Sequence, residues 1–356
     1  MAISLLFKKT VALASLNDFS ATRVNKKITL ASETYERMSA NVWFCDSETE
    51  KCFSNFYKKK HVGLPQRSLY ILHDAEVREK GIITLDNCVI KENLEGSPAL
   101  IKLQKILSNE LEATKVIEEP ILYVMRIGLK NYGHCLTQII PRIHWFYNLF
   151  PNIKIIVHKD VPKQIFEALA LIGITQKDIM LIGDEHVKVK KLYFIDFWNH
   201  HFAHSPKIFQ FIEMLKKNVI SKKSTQQPTK KLFINRNDAA TRHIINHNEV
   251  AQFLKNQGFL EISCGNLSFD EQIEYFASAE EVVGISGAAM SNIVFCQPET
   301  KIVILSPNSM ASFYFWDVAH HSKVNYSIFY FESNKDRGIY SDFSVNLDVL
   351  KNYLAK

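Results

Sequence analysis

The stretch Glu280–Phe295, EEVVGISGAAMSNIVF, sets the frame for the rest of the chain. Val282 and Val283 read as the end of a strand, Gly284, Ser286, Gly287, Ala288 and Ala289 as a turn of small residues, and Ser291 and Asn292 as part of a helix start. Strand, tight turn and helix in succession form the repeating unit of an α/β sheet. The first amides of a helix have no partner inside it, and the helix dipole favours negative charge in front of them. Small side chains there let a phosphate or diphosphate approach the backbone. Read locally, the pattern fits that site and equally an ordinary strand-to-helix turn in an α/β core.

Outward from this stretch the alternation repeats. Before it come a strand KLFINR (Lys231–Arg236), a helix from about Asn248 to Gln257 closed by Gly258, a strand FLEIS (Phe259–Ser263), and a helix Phe269–Ala277 whose start is capped around Ser268 and Asp270. After it comes a strand KIVILSP (Lys301–Pro307), and Leu347, Leu350 and Leu354 mark a final amphipathic helix. Further upstream, ILYVMRI after Pro120, KIIVH (Lys154–His158), IMLIG (Ile179–Gly183) and KLYFID (Lys191–Asp196) read as buried strands. Between them lie the amphipathic segment NYGHCLTQIIPRIHWFYNLFP, which Pro141 should kink or divide, and a helix Pro162–Ile172 before Gly173. Strands alternating with helices imply parallel sheets covered on both faces. The chain is therefore expected to be α/β, with two Rossmann-like domains facing across a cleft.

The polar, basic run KKNVISKKSTQQPTKK (216–231) is the best linker. It predicts an N-terminal domain over 1–220, a second Rossmann-like domain over 221–340 and a terminal helix over 341–356. The first 110 residues are irregular, with short strands VWFC (Val42–Cys45), SLYIL (Ser68–Leu72) and CVIKE (Cys88–Glu92) and a helix Ser97–Leu111.

Bulk properties narrow the function. The chain has 356 residues, 47% hydrophobic and 22% charged, the range of a globular protein long enough for two domains. Its net charge of +6 suits anionic substrates and is too small, without a clustered stripe, for a nucleic-acid partner. The six cysteines form no CxxC pair and no zinc spacing, as expected of buried thiols in a reducing compartment. The apolar start is broken by Lys8 and Lys9, and no later run reaches the length of a membrane span. A cytoplasmic protein is expected, resting peripherally on the inner face of a membrane if the run Lys58–Lys60 is more than a solvated face.

Ligands of open parallel sheets sit beyond the carboxyl ends of the strands. Those loops hold Arg236, Asn237 and Arg242, then Gly284–Asn292, then Ser306 and Pro307, and in the first half Asn131, Tyr132, Gly133 and His134. Two arginine forks beside a helix start suit a diphosphate, although both would also fit a surface near Asp238 or Glu249. A histidine at a strand end suits proton abstraction, and equally capping or packing. GxGxxG at a helix start, GxxxxGK[ST], Asp-x-Asp and metal-ligand spacing are all missing, so no cofactor and no metal are expected.

Three blocks in this order and spacing, NYGHCLTQIIPRIHWF (131–146), LFINRNDAATRHIINHNEV (232–250) and VGISGAAMSNIVFCQP (283–298), resemble those of glycosyltransferase family 61, the capsular-polysaccharide-type glycosyltransferases. The first block matches at Asn131, His134 and Arg142 and departs at Cys135, where an aromatic is usual. The second matches at Arg236 and Arg242 and, more loosely, at Asn248 and Glu249. The third matches at Gly287, Ala288 and Asn292, with Ser286 where histidine is common and Ala289 where glycine is common. The resemblance implies a GT-B, inverting, metal-independent transferase that takes a nucleotide sugar and extends an oligosaccharide or polysaccharide acceptor in surface or capsular polysaccharide synthesis, with contact to a membrane or capsule-assembly machinery compatible with it. In that reading His134 is the base, with Glu249 and Glu271 as outside alternatives, and Asn131, Arg142, Arg236, Arg242, Gly287, Ala288, Ser291 and Asn292 bind substrate. A sugar-phosphate transferase and a non-catalytic nucleotide-sugar-binding protein remain the alternatives.

Overall fold

A computed structural model of the chain describes residues 12–78, 81–94, 113, 115–126, 128–183, 185–200, 202–221, 230–311, 313–334 and 337–355. The helix expected at Ser97–Leu111 and the centre of the expected linker, 222–229, lie outside them. The chain is mixed α/β and forms two compact units that interleave along it. The first takes 1–33, 65–162 and 172–201, and the second takes 34–64, 163–171 and 202–356.

The second unit is built on six parallel strands. In chain order from residue 230, Lys230–Ile234, Phe259–Ile262, Ala279–Ile285, Lys301–Pro307 and Asn325–Phe331 stand in the spatial order second, first, third, fourth, fifth, and Asn41–Phe44 from the N-terminal third completes the outer edge. Phe233 faces Val283, and Val283 faces Val303, in adjacent parallel registers. These central strands are apolar on both faces because helices cover both. One core gathers Phe233, Val283, Val303, Phe331, Phe343 and Leu350, each 4% exposed or less. Burying each such side chain is worth about 1.5–3 kcal/mol. Ser268 caps helix Phe269–Ala277 in a box with Glu271, rather than with Asp270. Gly258 ends helix His247–Asn256 at φ +84°, a conformation open to glycine without penalty.

The first unit departs from the expected parallel half. Its ten-stranded sheet is mixed: Val187–Ile195, Ile121–Tyr123, Lys154–His158 and Ile179–Ile182 run parallel, but Val187–Ile195 also pairs antiparallel with Arg67–Arg78, a twelve-residue strand whose first half holds the expected SLYIL. From there an antiparallel meander continues through Ile82–Leu85 and Cys88–Ile90. Leu85 pairs with Cys88 across a two-residue turn in which Asp86 and Asn87 take φ of 49° and 63°, the signature of a tight hairpin. The helical segment after residue 131 divides just before Pro141, as expected. A π-helical turn, Cys135–Ile139, precedes Ile140–Leu149 and leaves the proline near a helix start, where its missing N–H costs little.

In the second unit, helix Phe313–Ser322 carries Asp317, fully buried, which accepts from Tyr35 Oη (2.6 Å), Arg37 Nε (2.5 Å), His204 N (2.9 Å) and His204 Nδ1 (2.8 Å). One carboxylate thus anchors residues 35–37 and 204 to the helix. Burial pushes its pKa up, but the His204 hydrogen bond and the charges of His204 and Arg37 outweigh this and hold it at about 2. Burial pushes the neighbouring His321 down to about 4.

Asp317→Ala is expected to cost about 3–5 kcal/mol, because it strands Arg37 and His204 without their acceptor. His321 binds its proton less readily folded than unfolded, so stability should fall as pH drops from about 6.5 toward 4. Asp317 should add a further loss from about pH 4 toward 2. Thermal denaturation from pH 7 to 4 checks this: the midpoint should lose less on acidification in His321→Gln than in the wild type. The same pH dependence in both proteins would contradict the assignment.

Candidate functional site

In the second unit the strand order reverses between the first strand, Lys230–Ile234, and the third, Ala279–Ile285, which are neighbours. The chain leaves these two strands toward opposite sides of the sheet, and such a reversal opens a crevice at the carboxyl ends. Arg236 lies two residues past the first strand and Gly287 two residues past the third. They meet there: a Cβ on Gly287 would fall 1.7 Å from Arg236 Nη1 and 2.8 Å from its Cζ. The guanidinium thus lies against the Gly287 backbone, and no larger residue leaves that space. Arg236 Nε is held by Thr241 O at 3.2 Å.

Arg242 comes from the same loop, at φ +61°. Its Nη1 lies 2.8 Å from Met310 Sδ, in the loop after the fourth strand, and Ser286 Oγ lies 4.0 Å from the same sulfur. A thioether is a weak acceptor. Loops after the first, third and fourth strands therefore converge on two arginines. Arg236 is 9% exposed, and Arg242 Nε is buried without a hydrogen-bond partner.

Burial lowers the Arg236 pKa, opposed by the charge of Asp238. Burial, and then the charge of Arg236, bring Arg242 down to about 10. Both remain cationic at neutral pH. Among the described residues neither forms an ion pair, and Asp238 directs its Oδ2 to Gly265 N at 3.0 Å. The surface pairing with Asp238 or Glu249 that the sequence left open is not what the fold makes. Arg236, buried, and Arg242, half-buried, thus carry two like charges near each other, with Asp238 the carboxylate whose charge acts on Arg236.

The segment after Gly287 differs from the expected helix start. Ala288–Phe295 is a 3-10 helix, opened by the bond from Met290 N to Gly287 O (3.0 Å). Its sequence is almost wholly apolar and is drawn into the core. Ser291 and Asn292, expected to touch substrate, point inward: Ser291 Oγ accepts from Tyr314 Oη (3.1 Å), and Asn292 Nδ2 donates to Gln272 Oε1 (2.7 Å). They brace the turn, while Gly287 supplies the close approach and Ala288 the half-buried surface beside it. Of the outside alternatives for the base, Glu271 is occupied in the cap of its own helix and Glu249 is exposed on helix His247–Asn256.

The first unit holds the remaining expected residues. Asn131 is an N-cap whose Oδ1 accepts from Gly133 N (2.9 Å) and His134 N (3.4 Å). His134 is half-buried, its Cδ2 3.8 Å from where a Cβ on Gly128 would stand. Arg142, expected to bind substrate, is fully buried. It donates to Gln138 O, Ile195 O (2.8 Å) and Val124 O (2.8 Å) and lies over the Phe197 ring, tying together the ends of two parallel strands. That position leaves no surface for a sugar.

A residue missed at first is Asp196, at the end of KLYFID. Burial raises its carboxyl to about 6; Oδ2 accepts from Ser68 N (3.0 Å), and Oδ1 is buried without a hydrogen-bond partner. The strand-end rule that selected the other loops also covers it. Among the described residues no group of three or more His, Cys, Asp or Glu could hold a metal ion.

Residues 132–303, which include His134, Arg236, Arg242 and Gly287, match the family model described as Glycosyltransferase 61. The chain carries a domain of that family across this stretch. It is a glycosyltransferase, and a glycosyltransferase takes a sugar donor and a glycan acceptor. No relative among curated proteins matches the chain significantly.

Gly287→Ala should displace the Arg236 guanidinium while sparing the fold, since the obstructing atoms end a flexible side chain. Calorimetry with inorganic pyrophosphate is expected to show affinity at least about tenfold weaker than wild type, the loss of roughly one charge-assisted hydrogen bond. Equal affinity would mean that the guanidinium position does not matter.

Proposed function

We propose that this glycosyltransferase is inverting and metal-independent, of the two-domain GT-B type, and moves a sugar from a nucleoside diphosphate donor to a glycan hydroxyl in surface or capsular polysaccharide synthesis. The observation that carries the reading is the pair of arginines at the switch point, one buried and one half-buried, cationic and, among the described residues, in no ion pair. A diphosphate supplies the missing negative charge. As the glycosidic bond to the donor breaks, charge accumulates on the leaving diphosphate, and two fixed guanidiniums stabilise it without reorganising. The Gly287 turn lets the phosphate oxygens approach the backbone, with Ala288 beside it. In a direct displacement the acceptor hydroxyl attacks the anomeric carbon and gives up its proton to a base.

His134 is the proposed base, a half-buried imidazole in the helical turn Tyr132–His134 that follows strand Ile121–Tyr123. Asp196 is the competing base on one specific observation, a carboxyl raised to about 6 at the end of the parallel strand Val187–Ile195.

Release of nucleoside diphosphate in the presence of acceptor is the direct assay. Arg236→Ala and Arg242→Ala are each expected to lower kcat/KM by about 10²–10³, the scale for one electrostatic donor to a developing charge. His134→Ala should abolish transfer and keep nucleotide binding. Turnover unchanged in His134→Ala, with Asp196→Asn inactive, would move the base to Asp196. Turnover unchanged in both arginine variants would sink the diphosphate reading.

A further inference from the structure

Helix Ser47–Tyr57 of the second unit ends in the sequence Phe56-Tyr57-Lys58-Lys59-Lys60. Tyr57 turns inward, whereas Phe56 is 46% exposed. Its ring stacks on Phe313 at 4.5 Å between centroids, and Phe202, 45% exposed, packs edge-on against the same Phe313 ring at 5.8 Å. Single exposed apolar residues are ordinary. Here two exposed phenylalanines share one buried partner and make a continuous apolar spot.

Three consecutive lysines border it, all exposed. Lys59 Nζ lies 5.5 Å from the centre of the Phe56 ring, Lys58 Nζ reaches Asn55 Oδ1 at 3.5 Å, and Lys60 Nζ reaches Ser39 Oγ at 2.7 Å. Their hydrogen-bond partners are neutral, and among the described residues no carboxylate pairs with them. Glu48 and Glu50 sit in the first turn of the helix, about 9–12 Å back along its axis at ~1.5 Å per residue. The apolar spot and the positive charge therefore coincide at the helix end.

We propose that this face, centred on Phe56 and Phe202 with Lys58, Lys59 and Lys60, rests on a membrane surface rich in anionic lipid. Phenylalanine has no polar handle and favours the boundary between headgroups and acyl chains. Lysines are flexible, strongly hydrated point charges that suit a diffuse anionic surface. An acidic protein partner fits less well, since protein interfaces favour arginine and are depleted in lysine. Among the described residues no helix is long and apolar enough to cross a membrane, so the contact is one of lying on the surface.

Co-sedimentation of the full chain with phosphatidylcholine vesicles, with and without phosphatidylglycerol, tests this. Wild type is expected to bind the anionic vesicles, to bind neutral ones at least about tenfold more weakly, and to be released by salt. Lys58→Glu with Lys59→Glu should lose about thirty-fold or more in affinity, at roughly one Debye-screened charge contribution per lysine. Phe56→Ser with Phe202→Ser should lose about tenfold. Circular dichroism and melting separate a folding defect in the phenylalanine variant from lost binding, and the lysine variant leaves the Phe313 packing intact. Pyrophosphate binding should be unchanged in the lysine variant. Equal binding of wild type to both vesicle types, wild-type affinity in the lysine variant, or binding to polyglutamate in preference to vesicles would overturn the proposal.

Discussion

Two guanidinium groups, those of Arg236 and Arg242, are held together at the carboxyl end of a parallel sheet without a carboxylate to neutralise them. Leaving a buried charge uncompensated costs several kcal/mol, so this arrangement persists only because the surrounding structure enforces it. Each constraint is visible. Arg236 is pinned by Thr241 O and by the bare backbone at Gly287, and Arg242 is turned by a left-handed backbone toward a thioether. The core of the second unit bears the cost, and the diphosphate proposed to bind there would remove it.

That core in turn depends on pieces distant in sequence. Strand Asn41–Phe44 completes the sheet beside Asn325–Phe331, and Asp317 gathers Tyr35, Arg37 and His204 against helix Phe313–Ser322. That helix also supplies Tyr314, whose hydroxyl braces Ser291 behind the Gly287 turn. The carboxylate hub and the two arginines thus share a helix and its preceding loop, which carries Met310.

Much of this was legible in the residues. Strands ending in Ile234, Ile262, Ile285 and Pro307 were plain from apolar runs and punctuating glycines, and the rule that ligands gather past strand ends selected Arg236, Arg242 and Gly287 together. What sequence pattern could not carry was placement. Helical connections look alike whichever side of the sheet they cross, so the order second-first-third-fourth-fifth, and with it the switch point, needed the structure. Strand Val187–Ile195, which pairs with Arg67–Arg78, lies far along the chain, so from sequence the antiparallel half of the first sheet reads only as an irregular N-terminal portion. Ala288–Phe295 was taken for a helix start, but with so few polar positions it is buried as a 3-10 turn and takes Ser291 and Asn292 inward. Arg142 reads as a ligand from the Pro-Arg of the first block, whereas two of its carbonyl acceptors, Val124 O and Ile195 O, come from separate strand ends that only the fold brings together.

The most direct test is thermal denaturation of the wild type and of Arg242→Met, each with and without inorganic pyrophosphate. If the arginines are an anion receptor kept at a cost, Arg242→Met without ligand should be as stable as the wild type or more so. Pyrophosphate at one hundred times its Kd should add about 2.7 kcal/mol to the wild type and nearly nothing to the variant. A variant destabilised by several kcal/mol, or a wild type indifferent to pyrophosphate, would show that the pair is structural and would contradict the account.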